Sequence, residues 1–154
     1  MTAWYAALKV IHVLSVVVWI GGAAALAMVT AHLLRARDHA TLAALLPLST
    51  RFFQTMGGPA SGLVLLSGIA MVILGRIGFG TLWVTLGFLG ILIHFLYGAI
   101  IMRRRTLALS AALSAAPVDA GRIAAAGRRL RTGSLVYLLI MAAVIVVMVA
   151  KPTG

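Results

Sequence analysis

Four apolar stretches of bilayer length, separated by arginine-bearing segments, leave this chain few folds to adopt. They run from about Ala3 to Met28, Gly58 to Gly75, Leu82 to Met102 and Ser134 to Ala150, and a hydrocarbon core requires roughly 17–25 residues of each crossing helix. In lipid every backbone N–H and C=O has to find a partner within its own segment, so each stretch is expected to be a helix. The fold class read from the sequence is all-α: an integral membrane four-helix bundle in a single domain, with additional interfacial amphipathic helices. Hydrophobic residues fill 63% of the 154 positions and charged residues only 10%, too little charge to coat a water-soluble domain of this size.

Two of the links carry structure of their own. After the polar turn Arg35 to His39, the segment Ala40 to Met56 is amphipathic and contains Pro47, which predicts a kinked helix lying along the membrane surface. The second spanning helix is expected to begin at Gly58-Pro59, because proline in a first turn lacks only an N–H that would be unpaired anyway. Arg76 to Thr81 is so short that the second and third spans are predicted to be antiparallel neighbours. The last link starts with Arg103, Arg104 and Arg105, is broken at Pro117, and ends with Arg122, Arg128, Arg129 and Arg131. Its alanine-rich composition predicts an interfacial helix near anionic headgroups.

With Arg35, Arg37 and Arg51, ten arginines fall on one side of the membrane, against Lys9, Arg76 and Lys151 on the other. The positive-inside rule then predicts a cell-membrane protein with both termini outside the cytoplasm. The same distribution accounts for the formal net charge of +11 without nucleic acid as a partner. No cysteine is present, which excludes disulfides, thiolate metal sites and cysteine nucleophiles. The two acids, Asp38 and Asp119, lie in the links, so a carboxylate-based proton path through the membrane is not expected. Nor does the sequence hold a hydrolytic triad, a phosphate-binding glycine loop or a zincin motif; no catalytic residue is assigned.

Two histidines fall within apolar stretches, where ionisable groups are costly and normally face the bundle interior. His12 shares a helical stripe with Tyr5, Lys9, Trp19 and Gly22, and His94 shares one with Gly87, Gly90, Tyr97 and Gly98. Glycines beside an imidazole form a groove for either a neighbouring helix or a planar macrocycle. Both spans enter from the same side, so at 1.5 Å per residue His12 lies roughly 13 Å deep and His94 roughly 19 Å deep. Two imidazoles near mid-membrane predict axial ligation of haem b by His12 and His94. Trp19 and Tyr97 would wall that site, Gly90 would line its groove, and Lys9 or Arg76 would meet the propionates. His32 and His39 fall at the inner end of the first helix and in the polar turn, where surface roles are expected. An alternative is copper, held by His12 and soft methionines such as Met28, Met56 and Met71. A third reading is a scaffold or subunit, with Gly58 and Gly62 offering a close-approach face for a homodimer or a membrane redox partner.

Lys9-Val10-Ile11-His12 followed by Trp19-Ile20-Gly21-Gly22 resembles the first helix of CopD copper-resistance domains and of HemJ-type protoporphyrinogen oxidases. In length and layout the chain is most similar to a bacterial family of predicted integral membrane proteins of unknown function. The likeness extends to the Gly-Gly-Pro opening and Ser67-Gly68 of the second helix, and elsewhere to the helix layout. The HemJ-type resemblance implies a haem-linked role for His12. It does not extend to that family's Pro-Arg-Leu segment after the Trp, nor to its third-helix lysine, for which Val84 to Phe88 offers no counterpart.

Overall fold

The computed structural model describes residues 3–152, and every regular element among them is helical. These are α1 (Ala3–Ala36), α2 (His39–Phe52), a first π turn (Phe53–Gly57), α3 (Gly58–Leu74), α4 (Leu82–Leu96), a second π turn (Tyr97–Met102), α5 (Arg103–Ser114) and α6 (Ala120–Ala150). Abutting elements run on without a break, giving four rods: Ala3–Ala36, His39–Leu74, Leu82–Ser114 and Ala120–Ala150. By length and composition all four can cross a membrane.

The rods have 31 to 36 residues, hence lengths of about 46–54 Å, against a hydrocarbon core about 30 Å thick. The excess lies at the end that carries ten arginines. This changes the shape expected for the two polar links. Both are helical, but each prolongs a span instead of forming a separate element. The reason lies in their apolar faces: Leu42 and Leu46 of α2, Leu109 and Ala112 of α5, and Ile123 and Leu130 of α6 bury one another around Leu33 of α1. Such mutual burial removes more apolar surface from water than laying each face singly on the bilayer would.

Local sequence explains where the rods start and stop. Asp38 and Asp119, the chain's two acids, are both N-caps, accepting the backbone N–H of Thr41 at 3.0 Å and of Arg122 at 3.1 Å. Hydrogen bonding from Thr41, through its side chain first and its backbone N–H second, holds the Asp38 carboxyl below its usual pKa. Pro117 lies in the gap between α5 and α6, where its ring and missing N–H prevent the helix from continuing. Pro47, by contrast, is accommodated inside α2. The hydroxyls of Ser49 and Thr50 both donate to the Leu46 carbonyl at 2.7 and 3.2 Å, and the ladder widens into the first π turn at Phe53, six residues after Pro47.

The four rods close into a ring unevenly. α1 packs along α3 and against α6, while α6 packs against both α4 and α5. The second and third rods meet through α2 and α5 at the arginine-bearing end, but α3 and α4 hardly touch, despite the short turn that joins them. Chain proximity predicted neighbours there; small-residue faces decided otherwise. The Ser67-Gly68 face of α3 is turned to His12 of α1, with a Cβ on Gly68 falling 3.5 Å from His12 Cε1. On α4, the space beside Gly87 and Gly90 is filled by Met148 and Val144 of α6.

Candidate functional site: a cavity beside His94

Where α3 and α4 part, all four rods line a cavity of about 550 Å³, within the size range of small-molecule and cofactor sites. Its wall is mostly apolar and carries hydroxyls from Ser49, Thr50, Ser61 and Ser134, with Arg103 at one end. Both π turns contribute to it, the first through Phe53, Gln54 and Gly57 and the second through Gly98, Ala99 and Met102. A π turn shifts the i→i−4 ladder by one residue and re-aims the side chains beyond it, and such turns recur at functional sites.

His94 is the most buried polar residue of the wall, 1% exposed, and neither of its ring nitrogens has a hydrogen-bond partner among the described residues. A neutral imidazole has one donor and one acceptor nitrogen, and each unsatisfied buried group costs about 1–3 kcal/mol. The ring is clamped by aromatics: Tyr137 of α6 lies over it at a centroid distance of 3.9 Å, and Trp19 of α1 meets it edge-on at 4.8 Å. Trp19 Nε1 in turn donates to Tyr137 Oη at 3.2 Å. That contact fixes the indole and leaves the phenol proton of Tyr137 available to a ligand or water.

The other sequence-derived candidates are dispersed. His12 is half-buried, and its Nδ1 lies 3.0 Å from Ser67 Oγ on α3. It stands two turns, roughly 10 Å, along α1 from Trp19 and hence from the level of His94. Trp19 is part of the cavity wall; Tyr97 is not, and Tyr137 stands there in its place. Gly90 packs on Val144 and lines no groove. Lys9 and Arg76 are exposed, and the cavity reaches along α1 only from Trp19 to Thr30 and along α3 only to Ser61. The cation at the cavity is Arg103. Among the described residues no three His, Cys, Asp or Glu side chains gather as a metal site. In the sequence Arg103 reads as a topology signal, not a site residue, and Tyr137 carries one signal, being the sole aromatic residue of the fourth span.

Residues 6–152 match a family described as a predicted integral membrane protein, DUF2269. The chain belongs to that family. Its four apolar rods agree with the description, and a lipid bilayer is its surroundings. No curated protein and no solved structure matches the chain.

Proposed function

We propose that this member of the DUF2269 family binds haem b in the cavity, with His94 as an iron ligand, and takes part in electron transfer or haem handling. One observation carries the reading: a buried imidazole with both nitrogens unpartnered, clamped by Trp19 and Tyr137 beside a cavity of about 550 Å³. Iron ligation would satisfy the acceptor nitrogen, and buried histidine is a common axial ligand of haem iron. Haem in such a site supplies one-electron redox chemistry. The chain's own residues would orient and enclose it. Tyr137 offers a hydrogen-bond donor, and Arg103, also in the cavity wall, would meet a carboxylate.

The first-helix likeness to HemJ-type proteins points to His12 instead, which here sits against Ser67 at a separate level of α1. Within the same proposal the protein lies in the bacterial cell membrane with its arginine-bearing end in the cytoplasm, as the positive-inside rule requires. The test is an absorption spectrum of protein purified in mild detergent from haem-supplemented cells, oxidised and then reduced with dithionite. We expect a Soret band that His94→Ala abolishes and His12→Ala retains. A colourless wild type, or a spectrum indifferent to His94→Ala, would overturn the assignment.

A further inference from the structure

On the opposite side of the second π turn from the His94 cavity, α5 and α6 flank a second, half-open space of about 580 Å³. Its lining combines Arg104, Arg105, Arg122 and Arg129 with Ile101 and a floor of alanines. No acid lines it. The nearest carboxylate in sequence, Asp119, accepts the backbone N–H of Arg122 as a helix cap. Four guanidinium groups without a carboxylate among them give the groove a positive potential that favours an anion. The groove is also built, since Arg105 Nη1 crosses to donate to the Arg129 carbonyl at 2.8 Å, running past Gly133, where a Cβ would fall 2.9 Å from Arg105 Cδ. This spends one of the five donors of Arg105 and leaves four for a ligand.

Its depth identifies the class of anion. The apolar third span ends at Met102 and the apolar fourth begins near Ser134. Arg104 and Arg105 therefore stand within one turn of the hydrocarbon boundary and Arg129 about one and a half turns from it, in a headgroup layer roughly 5–8 Å deep on each side. Ile101 lies at the groove's end nearest the hydrocarbon, and its chain neighbour Ile100 is exposed there. We propose that this groove binds an anionic phospholipid, with its phosphate held by Arg104, Arg105 and Arg129 and its acyl chains leaving past Ile101. Arginine's planar fork matches phosphate oxygens two at a time, and basic pockets between helices at this level are suited to lipid headgroups.

The test follows thermal unfolding of the full chain in delipidated detergent micelles with phosphatidylglycerol, phosphatidylcholine or inorganic phosphate added. Phosphatidylglycerol is expected to raise the midpoint by several degrees, and the Arg104→Gln/Arg129→Gln variant to lose most of that rise while Arg76→Gln keeps it. An equal rise with phosphatidylcholine, or one retained in the double variant, would refute the site. A full rise with inorganic phosphate would assign the groove to a free anion and refute the lipid. Should the double variant not fold, native mass spectrometry of the wild type decides: phosphatidylglycerol adducts outlasting phosphatidylcholine adducts support the proposal, and equal retention ends it.

Discussion

At the arginine-bearing end, side chains from all four rods interlock around Leu42 and Leu109, each 0% exposed. Halfway along the spans, Trp19, Val64, Met141 and Val144 are also buried, yet a cavity remains beside them and both ring nitrogens of His94 go unpaired. The solvent explains the contrast. Beyond the hydrocarbon, each square ångström of apolar surface withdrawn from water contributes about 25 cal/mol, so the prolonged rods gain by closing tightly. Within lipid that driving force is absent, and helices associate through packing, small residues and occasional hydrogen bonds. A gap between α3 and α4 therefore costs little, and it lies where a ligand can use it.

Core truncation tests the contrast most severely. Leu42→Ala or Leu109→Ala is expected to cost about 2–5 kcal/mol, transfer and cavity terms together. Met141→Ala removes a side chain of similar size within the spans and is expected to cost only about 1–2 kcal/mol, because lipid supplies no transfer term. Chemical denaturation in one detergent compares them; equal losses would mean that both cores experience the same solvent. Next in size is Tyr137→Phe, which removes the acceptor of the Trp19 N–H and should cost about 1–2 kcal/mol. Tryptophan fluorescence should shift in that variant, and an unchanged emission spectrum would argue against the contact.

Smaller effects belong to the caps of the arginine-bearing end. Asp119→Ala should lower stability by about 1 kcal/mol, with Asp119→Asn close to wild type, as the unfolding midpoints of the two variants would show. The slightest effect should come from Asp38, whose carboxyl is held below its usual pKa in the fold. Its contribution is present above the unfolded value of about 3.9 and is lost as pH falls through the lower folded value. A midpoint measured from pH 6 down to pH 3 should therefore decline at the acid end, and Asp38→Asn should flatten that limb. No change in the limb would mean that the exposed cap is screened to insignificance.

Much of this could be read from the chain before folding. The four spans are declared by composition, the break at Pro117 by proline chemistry, and the small-residue faces by glycine spacing. The lengths of the rods were less legible: Pro47 and the arginine runs read locally as boundaries. Only the mutual burial of Leu42, Leu46, Leu109 and Leu130 shows why the helices continue through them. His94 stood out as an intramembrane histidine, but its aromatic clamp did not, because Tyr137 lies 43 positions further along and its register against α4 depends on how Gly87 and Gly90 seat on Val144 and Met148.

The sequence by itself determined that lipid surrounds this chain, that its backbone is helical there, and that its positive charge gathers at one end. These follow from transfer free energies and hydrogen-bond satisfaction, which act residue by residue. The tertiary structure alone decided that α3 and α4, adjacent along the chain, stand apart across a cavity, and that His94 rather than His12 lines it. Helices in lipid associate through their small-residue contacts, and here α3 spends its Ser67-Gly68 face on α1 while α4 spends Gly87 and Gly90 on α6.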